Sequence, residues 1–284
     1  MATFYNQATL VYNGNTTTSN VTTGELLEVL SATKTAVVDR YIANDSITYI
    51  ISIINSGSTP FSNLTLTDDL GTYTEGTLAL RPLTYVEGSI QYFINGILQA
   101  TPAVTVTAPL TVTGISVPAN GNATIIYQAA TNEFTPLEAN ASIKNTAVIS
   151  GNGLSTELTA SDTIYADTSA VLTISKSIYP TTVTENGQIT YTFVIQNSGS
   201  TAATANDDII VTDTFDPVLN AITVTFNGTA WSSPTHFAYS EATGVFSTVT
   251  GAITVPAATY TRDETTGAVT VNPGVSVLTV TGTI

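Results

Sequence analysis

Three polar residue types stand at positions where an apolar side chain would be expected. In a β-strand, side chains two residues apart share one face. Lys34, Asp68 and Asn145 each fall in phase with apolar neighbours, as Asp68 does between Leu66 and Leu70. Burying a charged lysine or aspartate is costly unless the charge is paired or removed. The pattern predicts that these three side chains meet inside a β-sandwich.

The same residue types occur a second time. Lys176 and Asp213 occupy the apolar phase in the second half of the chain, and Asn6 occupies it near the start. The chain has only three lysines, and two of them hold this position. We therefore expect a second site of the same chemistry.

Two chemical outcomes are open for such a trio. Burial lowers the pKa of an amine and raises that of a carboxylic acid. A neutral lysine amine could then attack the asparagine carbonyl, with the acid moving the proton and ammonia leaving. The product is a Lys–Asn isopeptide bond without a buried charge. The alternative is a buried Lys–Asp salt bridge that is hydrogen-bonded to asparagine, and the residues alone leave both open.

The elements that must position these residues come in two copies. SITYIISIINSGST at 46–59 returns as QITYTFVIQNSGST at 188–201. Short runs alternate apolar and polar residues between Asn-Gly, Ser-Gly, Thr-Gly and Pro turns, which is typical of an all-β sandwich. Residues 240–247 and 263–271 are predicted to form hairpins at Thr-Gly. Residues 27–32 favour a helix only weakly.

The two copies differ in their closing segment. Copy one continues into SIKNTAVISGNG at 142–153, for which copy two has no equivalent, whereas TFYNQATLVYNGN at 3–15 aligns with it. Natural proteins avoid an open sheet edge, and a donated strand can fill one. We expect residues 1–15 to fill copy two of the next subunit. The alternative, folding back onto the same chain, would require a short connection to span the whole of copy one.

The predicted fold class is therefore all-β, with two tandem immunoglobulin-like β-sandwich domains. The C-terminal domain is predicted to be incomplete and to be completed by an N-terminal donor strand from another subunit. The predicted divisions are 1–26 for the donor strand and linker, 27–167 for domain one and 168–284 for domain two, the acceptor. The donor strand residues are predicted to be Phe4, Asn6, Ala8, Leu10 and Tyr12.

Composition excludes several functions. The 6 basic and 21 acidic residues give a net charge of −15, which argues against nucleic acid as a partner. No apolar run is long enough for membrane insertion. With no cysteine and one histidine, we expect neither a metal nor another cofactor. The Asp68-Asp69 and Asp207-Asp208 pairs could ligate Ca²⁺, but no EF-hand spacing supports this. No signal peptide is visible in the chain as given.

A family resemblance rests on four features. The first-strand lysine, ITYTFVIQNSGST, VTDTF and a late NTAV strand together resemble the bacterial conserved-repeat surface domain of unknown function. The resemblance covers nearly the whole chain and implies an immunoglobulin-like or pilin-like sandwich of surface and fibre proteins. In related isopeptide-forming pilin and adhesin domains, a first-strand lysine is joined to a last-strand asparagine, with an acidic residue between them.

Carried over to this chain, the resemblance implies one bond within a subunit and one between subunits. The intramolecular bond would join Lys34 to Asn145, with Asp68 as the proton shuttle. The intermolecular bond would join Lys176 to Asn6 of another chain. The proton shuttle of that second bond would be Asp213.

These features predict a structural subunit of a self-assembling extracellular fibre or pilus. The subunits would form a head-to-tail homopolymer, since a contact that does not close into a ring makes a filament. The chain also looks like endospore appendage pilins, which implies a cell or spore surface. The rival expectation is an adhesin or surface-layer binding module with intramolecular bonds only. No enzyme activity is expected beyond single-turnover self-ligation.

Overall fold

The computed structural model describes residues 2–284, and its regular structure is almost entirely β-strand. The all-β prediction is confirmed. The helical structure in these residues is a 3-10 turn at Ala205–Asp207. Among the same residues, no helix has the length and apolar character needed to cross a membrane.

The chain begins with four short strands that precede the first repeat. They are β1 (Ala2–Asn6), β2 (Thr9–Tyr12), β3 (Asn15–Thr18) and β4 (Thr22–Leu26). β1 pairs with β4 and β2 pairs with β3, so the segment is one long hairpin, called here the N-terminal hairpin. Its turn is Asn13-Gly14, with φ of 49° and 78°. Two positive φ angles are what a type I′ turn requires, and Asn-Gly supplies them.

The first repeat is a sandwich of two six-stranded sheets, called sandwich one. One sheet has the order β13-β12-β16-β7-β5, with β11 also on β16, and the other has the order β14-β15-β8-β17-β18-β6. Its strands are β5 (Leu30–Ala36), β6 (Arg40–Tyr41), β7 (Ser46–Asn55), β8 (Phe61–Asp68), β9 (Tyr73–Glu75), β10 (Leu78–Leu80), β11 (Leu83–Tyr85), β12 (Gln91–Ile94), β13 (Ile97–Leu98), β14 (Ala103–Thr107), β15 (Leu110–Val117), β16 (Gly121–Thr131), β17 (Ser142–Ser150) and β18 (Leu158–Ala166).

The core of sandwich one follows from the period of the strands. Alternate residues of β7, from Ile47 to Ile53, are fully buried between the sheets. Burial of such a side chain stabilises the fold by about 1.5–3 kcal/mol. The weak helix prediction for residues 27–32 is wrong, because all seven residues of β5 pair with β7. The ladder and the burial of Leu30 outweigh the local helix preference.

The second repeat, sandwich two, has the same plan with fewer strands. A five-stranded sheet has the order β19-β20-β28-β22-β23, and it faces a three-stranded sheet of order β21-β25-β24. The strands are β19 (Leu172–Tyr179), β20 (Gln188–Asn197), β21 (Thr212–Thr214), β22 (Asn220–Phe226), β23 (Thr229–Trp231), β24 (Phe237–Tyr239), β25 (Val245–Thr248), β26 (Thr259–Arg262), β27 (Val269–Asn272) and β28 (Gly274–Thr283). Both predicted Thr-Gly hairpins are confirmed, as β24–β25 and β26–β27.

The two sandwiches of one chain are in direct contact. The β26–β27 hairpin of the second repeat packs Tyr260, Val269 and Val271 against the core of sandwich one. Arg262 donates a hydrogen bond of 2.8 Å to the hydroxyl of Tyr73 at this contact. The two repeats of one chain therefore meet through side chains as well as through the connecting backbone.

Candidate functional site

The first site lies between the sheets of sandwich one. Lys34 on β5 reaches across to Asp68, which ends β8 in the facing sheet, and its Nζ lies 2.5 Å from Asp68 Oδ2. Both side chains are completely buried. Asn145, on the neighbouring strand β17, is also fully buried. The phase of these residues in their strands therefore places all three in the core.

A fourth residue, Tyr127 on β16, links this group. Its hydroxyl donates to Asp68 Oδ2 at 2.7 Å and accepts from Asn145 Nδ2 at 3.0 Å. The other amide atom, Asn145 Oδ1, accepts from the backbone N–H of Gly71 at 3.2 Å. Asp68 Oδ1 accepts from the N–H of Leu70 at 3.0 Å. The asparagine amide is thus held at both ends.

Burial shifts the pKa of two groups at this site. Desolvation lowers the pKa of the Lys34 amine, and the attraction of Asp68 only partly offsets that effect. Burial raises the pKa of Tyr127 well above its usual value, so the hydroxyl keeps its proton at neutral pH. Lys34 Nζ also lies 4.8 Å from the ring centroid of Tyr49. The hydrogen bonds of Lys34 in the described residues do not include one to Asn145.

This arrangement supports either outcome that the sequence left open. Asp68 Oδ2 accepts from Lys34 and from Tyr127 at once, as in a buried ion pair. The same atoms also form a continuous path from the lysine amine, through Asp68 and Tyr127, to the amide nitrogen of Asn145. Such a path is what proton transfer during amide exchange needs.

The second site is only partly enclosed. Lys176 on β19 pairs with Asp213 on β21, but the two side chains are 40% and 18% exposed. Lys176 Nζ lies 4.4 Å from the ring centroid of Tyr191. Asn6 is exposed and pairs with Thr22 in the N-terminal hairpin. The described chain forms no hydrogen bond between the Asn6 side chain and either member of this ion pair.

The pair is exposed because no strand among the described residues covers this side of sandwich two. In sandwich one, β17 and β18 extend the sheet beyond β8, and β18 lies against β5. The described part of sandwich two has no counterpart to these strands, so β21 pairs only with β25. All eight residues of β19 are exposed as a result. An apolar groove of about 160 Å³ opens between β19 and the segment before β21; it is lined by Leu172, Ile174, Ile195, Ile209, Ile210 and Val211.

The predicted donor residues lie on the N-terminal hairpin. Phe4, Leu10 and Tyr12 are between 57% and 71% exposed, and Asn6 and Ala8 are exposed as well. The predicted donor strand is one arm of the hairpin, and the segment predicted to be a linker forms the other arm. The prediction of a single strand followed by a linker differs from this hairpin because the Asn13-Gly14 turn reverses the chain and β4 then pairs with β1. Met1, included in the predicted donor segment, lies outside the described residues.

The acidic pairs considered for Ca²⁺ have local structural roles. Asp69 accepts from the N–H groups of Gly71 and Thr146, at 2.8 and 2.9 Å. Asp207 accepts from the backbone and side chain of Thr204 and caps the 3-10 turn. In the part of the chain that the structure describes, no cluster of three or more histidine, cysteine or acidic residues could hold a metal ion.

Tyr127 was not predicted from the sequence. Tyrosine commonly occupies the apolar phase of a strand, so its presence there does not indicate a functional site. A sequence signal that could have drawn attention to it is the pairing of two tyrosines across neighbouring strands, since Tyr127 lies opposite Tyr49. In sandwich two the equivalent pair is Val280 with Tyr191, so the hydroxyl has no equivalent there.

Comparison with known proteins leaves the family open. No protein-family model matches the chain, and no curated protein matches it. Among solved structures, the major pilin BcpA of Bacillus cereus is 13% identical, with a TM-score of 0.37, over 95% of this chain and 73% of BcpA. The pilus backbone RrgB of Streptococcus pneumoniae is 12% identical, with a TM-score of 0.35, over 86% of this chain and 55% of RrgB.

A third likeness is partial. The major pilin GBS80 fragment of Streptococcus agalactiae is 10% identical, with a TM-score of 0.35, over 52% of this chain and 58% of that fragment. The chain thus spans under two thirds of the RrgB and GBS80 structures that it matches. At these identities and TM-scores, none of the three likenesses decides the family or the function.

Proposed function

We propose that this protein is a structural subunit of a self-assembling extracellular fibre at a cell or spore surface. The N-terminal segment of one subunit would complete sandwich two of the next subunit. One observation carries the proposal. In the described residues, sandwich two has an open edge at β21 and an open apolar face at β19, while residues 3–15 align with the strand that closes sandwich one.

The energetics favour such an exchange. Phe4, Leu10 and Tyr12 are exposed on the donor, and Leu172, Ile174 and Ile178 are exposed on the acceptor. Covering large apolar side chains contributes about 1.5–3 kcal/mol for each one fully buried. The backbone groups at the free edge of β21 also gain partners. Because the donor and acceptor are different surfaces of one chain, the contact is head-to-tail and extends into a filament.

The covalent part of the proposal concerns both sites. In sandwich one, the neutral Lys34 amine attacks Cγ of Asn145 while Asp68 takes the proton that the amine loses. The bond from Cγ to Nδ2 breaks, and Nδ2 leaves with one added proton as ammonia. At the joint, Lys176 and Asp213 would perform the same reaction on Asn6 of the neighbouring subunit. The support is the matching strand phase of the two sets and the Lys–Asp contact in both sandwiches.

The proposal is tested by imaging the untagged protein and a variant without residues 1–26. Negative-stain microscopy at neutral pH should show filaments of the full chain and none of the shortened chain. Sandwich one supplies the folding control, since its strands begin at Leu30. A full chain that stays monomeric would point instead to an adhesin or surface-layer module with intramolecular bonds only.

A further inference from the structure

The closing hairpin of sandwich one shows what a complete acceptor looks like. β17 pairs with β8 on one side, with Ala147 opposite Asp68. On its other side it pairs with β18, with Asn145 opposite Asp162. Asp162 also bonds to β5, because its Oδ2 accepts from the N–H of Ala36 at 2.7 Å. Two strands, rather than one, therefore close this sandwich.

The N-terminal hairpin shares part of this layout around its asparagine. Asn6 lies opposite Thr22, as Asn145 lies opposite Asp162. In each hairpin, the next cross-strand pair on the same face as the asparagine lies two residues before it. Past Asn145, β17 ends at Ser150, and past Asn6, β2 ends at Tyr12. The first arm therefore extends past its asparagine about as far as β17 does, but Gln7 and Ala8 interrupt it, whereas β17 is one continuous strand.

One pair of this hairpin corresponds in position to a core pair of the closing hairpin. Ile143 faces Ile164 in the closing hairpin, and Phe4 faces Gly24 in the N-terminal one. A Cβ atom added to Gly24 would lie only 2.3 Å from Cζ of Phe4, so the ring occupies the space over the glycine. One large ring over a glycine thus stands where the closing hairpin has two branched side chains.

From these observations we propose that the whole N-terminal hairpin of a second copy enters sandwich two, in the place of β17 and β18. This deepens the proposed function and rests on it. The β1–β2 arm binds along β21, with Ala8 opposite Asp213, Thr9 opposite Thr212 and Leu10 opposite Val211. The β3–β4 arm covers β19 and places Thr22 beside Ile178, the equivalent of Ala36. The partner is another copy of this chain, and residues 15–26 belong to the interface.

Engineered thiols test each arm separately, because the chain has no cysteine of its own. Directly opposed strand residues lie roughly 4.5–5.5 Å apart at Cα, which a disulfide can span. For the first arm, Thr9→Cys chains are mixed with Thr212→Cys chains and oxidised. For the second arm, Thr22→Cys chains are mixed with Ile178→Cys chains and treated with a short bismaleimide. All four chains carry Asn6→Ala, so that an isopeptide bond cannot supply the cross-link.

Two control mixtures test the register of the first arm along β21 and the position of the second arm along β19. Thr9→Cys mixed with Thr214→Cys is two residues out of register, and Thr22→Cys mixed with Thr173→Cys tests the far end of β19. We expect both designed mixtures to give cross-linked dimers on a denaturing gel and both controls to give at least fivefold less. Cross-linking between separate chains also excludes closure within one chain.

The outcomes separate this inference from the proposed function. A first-arm cross-link without the second would overturn the hairpin and leave single-strand donation standing. Filaments without either cross-link would overturn the donor assignment, since the contact would lie elsewhere. Monomers without either cross-link would overturn the fibre proposal itself.

A separate observation, the hydrogen bonds of Tyr127, carries a second inference. Resting on the ligation in the proposed function, we propose that Tyr127 is a catalytic residue of the Lys34–Asn145 reaction. As the bond from Cγ to Nδ2 of Asn145 breaks, the Tyr127 hydroxyl gives its proton to Nδ2. It recovers a proton from Asp68, which has taken one from the Lys34 amine. Lysine loses one proton, ammonia gains one, and both Asp68 and Tyr127 return to their starting states.

A pair of conservative variants tests this role. Tyr127→Phe removes the relay hydroxyl, and Tyr41→Phe removes a buried hydroxyl outside the site, which donates to the carbonyl of Pro136 at 2.7 Å. The chains are refolded from denaturant, and ammonia loss is followed over time by intact mass. We expect Tyr127→Phe to slow the ligation about 100-fold, as loss of a general acid–base group does, and Tyr41→Phe to slow it less than threefold.

Melting temperatures separate catalysis from structure. If the two variants lose similar stability and still differ in rate as expected, Tyr127 acts in the reaction. Ligation of Tyr127→Phe at the wild-type rate would overturn this role. So would a wild-type chain that never loses ammonia, because no reaction would then exist for Tyr127 to assist.

Discussion

The two sandwiches hold the same Lys–Asp pair in different surroundings. In sandwich one, the pair is fully buried under β17 and β18, and Tyr127 and Asn145 complete the site. In sandwich two, the pair is partly open to water, and Val280 stands where Tyr127 would be. This difference shows that the lysine and the aspartate lie on strands that both repeats contain. The closing hairpin is the part that supplies both the cover and the asparagine.

The largest expected effect comes from removing the donor. Deletion of residues 1–26 should abolish polymerisation, because β21 and β19 of every subunit then remain open. Sandwich one should keep its fold, since its two sheets do not use these residues. Sedimentation and circular dichroism would measure the two results. Normal filaments from the shortened chain would mean that assembly does not require residues 1–26 to fill sandwich two.

The next effect concerns how the joint resists boiling. Wild-type fibres should give a ladder of covalent multimers after boiling in detergent. Asn6→Ala and Lys176→Ala chains should still assemble and then collapse to monomer, provided that the cavity cost of a few kcal/mol is tolerated. A chain with Lys144→Ala, the third lysine, serves as the matched control and should keep the ladder. Collapse of the wild type to monomer would leave Lys176 as an ion-pair partner only.

Burial should make the two lysines differ in their contribution to stability. In an Asn145→Ala background, which cannot ligate, Lys34→Ala leaves the buried Asp68 without its charged partner and should cost about 3–5 kcal/mol. Lys176→Ala breaks a pair that is partly exposed and should cost under about 1 kcal/mol in the unassembled chain. Denaturant unfolding of the two variants measures the difference. Equal costs would mean that the two sites share one environment.

The smallest effect tests the missing hydroxyl of sandwich two. Val280→Tyr introduces a phenol at the position equivalent to Tyr127. If the Asn6–Lys176 bond forms in fibres, this change should speed it severalfold, because the relay is restored. Val280→Phe is the control for added volume and should give no such gain. The appearance of the ladder over time after mixing monomers measures the rate.

The strand pattern predicted the burial of the first site well. Lys34, Asp68 and Asn145 lie in the apolar phase, and the period of two places them inward once both sheets are present. The same rule could not predict the exposure of Lys176. The phase of a residue gives the direction of its side chain, but it does not show whether other strands pack over that side chain. Tyr127 could not be predicted either, since its role depends on a contact between facing sheets.

The second arm of the N-terminal hairpin was missed for a different reason. Residues 15–26 are mainly polar and small, so they carry little of the alternation that indicates a strand. Their strand structure comes from the Asn13-Gly14 turn and the pairing with β1 and β2. Long-range pairing of this kind is set by the fold rather than by local propensity.

A three-dimensional reconstruction of the untagged filament by electron cryo-microscopy tests the central claim most directly. The account predicts that residues 2–26 of one subunit fill sandwich two of its neighbour, with Ala8 opposite Asp213 and Asn6 beside Lys176. Density that shows sandwich two closed by its own chain, or the N-terminal hairpin lying free of every neighbour, would contradict it.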